Sequence, residues 1–209
     1  MHPSGNTHGI SKRHLLPVIV LTTVASWSAN ASYLPHQAKA GEQPLQPVAE
    51  LDVNRYLGTW NQLAAIPQIF NLQCARNVRA EYGSIDETAI SVRNTCRTWL
   101  GRTSAIEGFA LVLDTDTNAQ LRVEFPSVPF SFGEDANYVV TFIDEDYRWA
   151  LVGDPQRSSG FVLARDTSFT REQWQEVKAV IESRGYDSWR FWTTPTSGGK
   201  RVSLPVSVF

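Results

Sequence analysis

The chain carries two cysteines, Cys74 and Cys96, and four histidines, His2, His8, His14 and His36. A thiol becomes a strong nucleophile when a neighbouring base or cation lowers its pKa, yet every histidine falls within the first 36 residues. The body of the chain therefore has no side chain that titrates near neutrality unperturbed. Ser-His-Asp and Cys-His catalysis, His-ligated haem and His-containing zinc sites are excluded together. The two cysteines keep two readings, a disulfide of only one possible connectivity or a free Cys96 thiol. The run Asp144-Glu145-Asp146 offers the oxygen ligands that calcium prefers, but acids between two apolar stretches read better as a solvated hairpin turn. No metal site and no cofactor is expected. With 19 Lys+Arg against 21 Asp+Glu and a net charge of −2, there is no basic excess to neutralise phosphates, so nucleic acid is not an expected partner.

The compartment helps to choose between the cysteine readings. Lys12, Arg13 and His14 form a positive start, Leu15 to Trp27 is mostly apolar, and Ala29-Asn30-Ala31 has the small-x-small pattern of a cleavage site. Residues 1–31 thus read as an export signal cleaved after Ala31, since the apolar stretch contains Pro17 and is short for a span of about 20 residues, with an uncleaved anchor as the alternative. A secreted, envelope or periplasmic chain meets an oxidising environment, which favours the disulfide. Residues 32–47 hold Pro35, Gly41, Pro44 and Pro47 and read as a flexible leader. The folded domain is expected at 48–195. Residues 196–209 form a tail in which Val202, Leu204, Val206 and Val208 alternate and offer an edge strand.

Period-two patterns dominate the domain. Ile90, Val92, Asn94 and Cys96 alternate with Ser91, Arg93 and Thr95, as do Leu121, Val123 and Phe125 around Arg122 and Glu124, and Tyr138, Val140 and Phe142 around Val139 and Thr141. Further strands are expected at Thr59 to Ile66, Asn77 to Ser84, Ser104 to Asp114, Tyr147 to Gly153 and Gly160 to Arg165, with turn residues between them. Eight short strands joined as hairpins point to an all-β antiparallel sandwich or up-and-down barrel. One C-terminal α-helix follows: Thr170-Arg171-Glu172-Gln173 is a capping box, Trp174, Val177 and Ile181 recur at helical spacing, and Arg184-Gly185 is a stop. Its single apolar stripe must lie on the outside of the sheet. A last strand is expected at Trp189 to Thr193, and a short helical turn at Asp52 to Tyr56, capped by Asp52.

The segment from Asp52 to Trp60, with Gly58-Thr59-Trp60 at its end, resembles the lipocalin signature, a short turn running into Gly-x-Trp at the first strand. Asp146 to Val152 is similar to the family's second conserved block. Val162-Leu163-Ala164-Arg165 is similar to the third, and all three stand in the family's order and spacing. The resemblance covers about Val48 to Pro195 and is greatest to the bacterial and apolipoprotein D-like members. The chain departs from those patterns in two places: no cysteine beside the cleavage site could carry a lipid anchor, and Asn61 stands where an aromatic usually follows the tryptophan. The resemblance implies an eight-stranded barrel (the calycin type), closed at one end, with Trp60 on its floor, Arg165 packed across the indole, and Gly58 in the same structural group.

Alternation from an inward Trp60 then assigns a lumen. The expected ligand-binding residues are Ala64, Ile66, Phe70, Ala80, Tyr82, Asn94, Phe125, Tyr138, Val140 and Phe161, a mainly apolar set with few polar groups. In this frame Cys74 and Cys96 both fall at the open rim, where a bond between them closes a loop worth roughly 3 kcal/mol. Ile69-Phe70, Leu72, Trp99-Leu100 and Val128-Pro129-Phe130-Ser131-Phe132 also fall at that rim, as a ligand gate or a surface for a membrane or partner. The expected function is a secreted, non-enzymatic carrier of a small hydrophobic ligand, a fatty acid, phospholipid or similar. The alternatives are an envelope interaction protein working through its rim loops, and an enzyme with a free Cys96 thiol in the lumen.

Overall fold

Aspartates organise the turns. Asp86 Oδ1 accepts from the backbone N–H groups of Thr88 and Ala89 at 2.8 and 2.9 Å, Asp114 Oδ1 from Asp116 at 3.0 Å, and Asp144 Oδ1 from Trp149 at 2.9 Å. A short carboxylate that bonds the backbone just after it closes a turn locally, so the acidic run at 144–146 belongs to a hairpin. The computed structural model describes residues 43–129 and 133–209; the expected export signal and the leader as far as residue 42 lie outside them. Eight strands follow one another: β1 Gly58–Ala65, β2 Cys74–Ser84, β3 Ala89–Thr98, β4 Thr103–Val112, β5 Gln120–Glu124, β6 Tyr138–Ile143, β7 Trp149–Gly153 and β8 Gly160–Ala164. Each pairs antiparallel with the next, and β1 also pairs with β8, Asn61 opposite Ala164, which closes the barrel. The expected last strand shortens to β9, Trp192–Thr193, beside the upper half of β1, because Ser188–Arg190 forms a 3₁₀ turn.

The strands separate two cores. The inner one contains Trp60, Ala80, Tyr82, Val92, Leu121, Val140, Val152 and Leu163. The outer one holds Leu63, Trp149, Leu151 and Val162 under the helix α2, Arg171–Ser183, whose Trp174, Val177 and Ile181 are buried against them. Each fully buried aliphatic of that stripe contributes about 2 kcal/mol. The expected capping box is present: Thr170 Oγ1 accepts from Gln173 N, and Gln173 Oε1 from Thr170 N at 2.9 Å. Gly185, at φ 78°, ends the helix in a left-handed conformation in which Tyr186 N bonds Ile181 O.

Both ends of the domain are packed where the sequence suggested looseness. Leu45 is buried in the outer core, its N–H donates to Pro155 O, and Thr141 Oγ1 donates to Gln46 O at 2.7 Å. The stretch 43–47 therefore docks on β6 and β7's exit. A short helix, α1, Val53–Tyr56, follows with Asp52 as its cap. In the tail, Val206 is buried within a 3₁₀ turn, and Phe209 stacks on Trp174 at 5.0 Å. The alternation at 202–208 forms only a single bridge, Trp192 to Pro205, in place of an edge strand.

Candidate functional site

The floor is built from α1 and the ends of β1 and β8. Trp60 Nε1 donates to Tyr56 O at 2.8 Å, and the Arg165 guanidinium lies 3.8 Å from the indole. Its N–H groups also donate to Thr59 O, Arg55 O and Leu57 O at 2.7 to 2.9 Å, so one fork ties the turn, the strand and the ring. Gly58 makes this possible. Its φ of 95° is open to glycine, and a Cβ there would meet Arg165 Nη1 at 3.4 Å. Trp60, Arg165 and Gly58 thus hold the closed end together.

Above the floor three phenols join. Tyr138 Oη lies 2.7 Å from Tyr56 Oη and 2.8 Å from Tyr82 Oη, with the Tyr56 and Tyr82 rings stacked at 5.5 Å. Burial pushes the Tyr82 phenol up to about 12 and raises Tyr56 and Tyr138 well above the usual phenol value. All three are neutral at ordinary pH. Three hydroxyl hydrogens serve two hydrogen bonds, so one phenolic donor remains uncommitted among the described residues. The sequence pointed to Tyr82 and Tyr138 by strand parity but missed Tyr56, which stands on a helical turn where parity says nothing.

Register decides the rest of the wall. Ala80 faces Trp60 and Asn94, Tyr82 faces Val92, and Val140 faces Val152. Ala80, Tyr82 and Val140 are buried in the inner core, and Phe125, Tyr138 and Phe161 pack against it half-buried. Asn94 shares this face, and its Oδ1 is buried without a hydrogen-bond partner. Ala64 and Ile66 do not belong here. A bulge at Leu63 shifts the pairing of β1 with β8 between Gln62 and Ala64, which exchanges the two faces from that point on. Ala64 and Ile66 therefore lie in the outer core, and Ala65, opposite Phe161, takes the inward place. A second bulge, at Thr141, does the same to Phe142, which packs 4.4 Å from Trp149 outside the barrel. Phe70 falls in the 3₁₀ turn Ile69–Asn71, and its side chain lies outside the described set, as do residues 130–132 of the β5–β6 loop.

At the end of the barrel away from α1, Cys74 and Cys96 form a disulfide, Cα atoms 5.6 Å apart, and no thiol is free. The reading of Cys96 as a lumen nucleophile is thereby overturned. The β1–β2 and β3–β4 loops project beside this bond, and Trp99 Nε1 donates to Leu72 O across them at 2.8 Å.

A closed antiparallel barrel with an apolar interior and one end floored by α1 is the architecture of the small-ligand-binding β-barrels. The lipocalin-like domain model matches residues 51–196, and the chain belongs to the lipocalin family. It is 32% identical over 160 residues to temperature-induced lipocalin-1 of Arabidopsis thaliana, covering 75% of this chain and 85% of that protein. It is 31% identical over 180 residues to the outer membrane lipoprotein Blc of Escherichia coli K12, covering 85% and 94%. The structure of insecticyanin from the tobacco hornworm Manduca sexta is similar with a TM-score of 0.59 at 16% identity, over 78% of this chain and 93% of that one, a likeness of fold.

Proposed function

We propose that the chain binds and carries a small, mainly hydrocarbon ligand, such as a fatty acid or phospholipid, in the barrel lumen, and that it does so outside the cytoplasm after export on residues 1–31. The observation that carries this reading is the inner wall itself. Phe125, Tyr138 and Phe161 stay only partly buried where they pack against the apolar inner core. A ligand's hydrocarbon replaces water on these rings, which is favourable at roughly 25 cal/mol per Å² of apolar surface covered. The uncommitted phenolic hydrogen and the unpartnered Asn94 Oδ1 give a donor and an acceptor to a single polar head. The role is binding without catalysis, since the sulfur that could attack is already bonded. The disulfide fits an oxidising compartment, and one relative is named as an outer membrane lipoprotein.

Displacement of a polarity-sensitive dye tests the reading. Phe161→Trp narrows the lumen and weakens binding of a fatty acid, whereas Arg93→Ala, on the outward face and paired with Glu81 and Glu107, leaves it unchanged. Equal effects from both, on variants with native circular dichroism, would place the site elsewhere.

A further inference from the structure

We propose that the open end of the barrel docks on an anionic lipid bilayer, with Arg76 and Arg97 taking lipid phosphates and the tips of the β1–β2 and β3–β4 loops entering the interface. The proposal rests on the lipid-carrier reading and adds to it where the ligand is collected or delivered.

The loop tips carry the first argument. Ile69, Leu72, Trp99 and Leu100 are 87%, 71%, 75% and 83% exposed. They stand on two neighbouring loops, so their apolar surface is contiguous in the way a binding patch is, not scattered singly. The loops are also fixed to each other, by the Trp99 to Leu72 hydrogen bond at the tip and the Cys74–Cys96 bond at the base. Apolar groups held out rigidly lose little freedom on docking. A tryptophan with an apolar body and one N–H suits the headgroup level of a bilayer.

Charge supplies the second argument and selects the occupant. Arg76 and Arg97 are directly opposed across β2 and β3, and like charges in that position destabilise a strand pair unless an anion lies between them. Both are exposed, as is Arg102 in the same turn as Leu100, and none of the three is in an ion pair among the described residues. The segments 66–76 and 97–103 contain no acid at all. The acids of this end lie away from the two loops: Glu134 and Asp135 on the β5–β6 loop, Asp154, whose carboxylate is engaged by Ser158 and Ser159, and Glu182 and Asp187 after it, where Tyr186 bonds Ser159 O and Ser188 bonds Glu182. The closed end has the opposite sign: its three hairpin turns carry Asp86-Glu87, Asp114 with Asp116, and Asp144-Glu145-Asp146. At about 3.3 Å per residue the ten-residue strand β3 separates the two ends by roughly 30 Å. That is nearly four Debye lengths, of about 8 Å each, at physiological salt, so each end meets a charged surface on its own terms. A negatively charged bilayer attracts the mouth and repels the floor, which points the lumen at the lipid. An uncharged apolar partner, or a second copy docked mouth to mouth, would leave the Arg76–Arg97 pair unanswered.

The test is co-sedimentation of the exported chain with vesicles of pure phosphatidylcholine and of phosphatidylcholine mixed with phosphatidylglycerol. The expected result is binding to the mixed vesicles only, weakened by added salt and accompanied by a blue shift of tryptophan emission. Arg76→Gln with Arg97→Gln lowers partitioning about thirty-fold, at about 1 kcal/mol per arginine and tenfold per 1.4 kcal/mol. Leu72→Ser with Leu100→Ser abolishes the remainder. Equal binding to both vesicle types, or partitioning unaffected by the arginine changes, overturns the proposal. So does a dimer in light scattering that the leucine changes disperse, because the patch is then covered by a second copy. Dye displacement on the same proteins separates the two readings: vesicle docking without any lumen binding sinks the carrier, and lumen binding without docking sinks only this proposal.

Discussion

Replacing Tyr138 by phenylalanine removes the hub of the phenol cluster while keeping its ring. Two hydrogen bonds, of 2.7 and 2.8 Å, disappear at once, and the hydroxyls of Tyr56 and Tyr82 stay buried without partners. A buried polar group left unsatisfied costs about 1–3 kcal/mol, so Tyr138→Phe, which strands two, should destabilise by about 2–6 kcal/mol. Tyr56→Phe or Tyr82→Phe removes one bond and leaves Tyr138 with its other partner, for about 1 kcal/mol each. The triple replacement removes every hydroxyl together and should lie within about 1 kcal/mol of the parent, since deleting all partners leaves nothing stranded. The order is therefore non-monotonic, with the single hub change worse than the triple one. Urea unfolding with the disulfide intact measures it, as a shift in midpoint at constant slope. A hub variant no worse than either arm would refute the reasoning, by showing that Tyr56 and Tyr82 bond each other or lumen water once Tyr138 is gone.

Two further outcomes follow from groups already described. Alkylation of the unreduced, unfolded protein should label neither cysteine, and reduction should lower stability by roughly 3 kcal/mol for a separation of 22 residues; labelling of both thiols would remove the staple. The buried phenols have folded values above the unfolded value near 10, so the unfolded chain loses these protons first. Stability should stay level to about pH 9, then fall by about 1.4 kcal/mol per pH unit for each phenol still protonated, through about 12 for Tyr82. Thermal melts beside phenolate absorbance check this, and a flat profile to pH 12 would mean that the cluster is open to solvent.

Strand parity located most of the inner wall because β3, β5, β8 and the part of β2 from Arg79 onward keep their alternation where it was applied. It failed at Leu63 and Thr141, and both failures have the same origin. Leu63 O accepts from Thr194 N, and Thr141 Oγ1 donates to Gln46 O, so each bulge sits where a segment from a chain end attaches to the barrel. Neither position carries the glycine or proline that usually marks an irregular strand, and the partner that fixes it is far away in sequence. The same distance hid the packing of Leu45 and Val206, each an isolated apolar residue among prolines and serines. Trp60, Arg165 and the cysteines were legible because their types are rare and their partners few.

Strand β1 is the seam of the barrel, paired with β2 along its first half and with β8 along its second. Every other strand pair of the barrel forms between neighbours in the chain, whereas Asn61 and Ala164 are 103 residues apart. The hairpins can therefore assemble early, but the cylinder cannot shut until the last strand has been made. Loop-closure entropy sets the pace of that final step, and folding should be slow for a domain of this size. Until then the edges of β1 and β8 remain unpaired, and each can recruit the wrong neighbour. On the export route proposed above, this delay leaves the barrel unsealed while the chain crosses the membrane, and the seam closes on the far side.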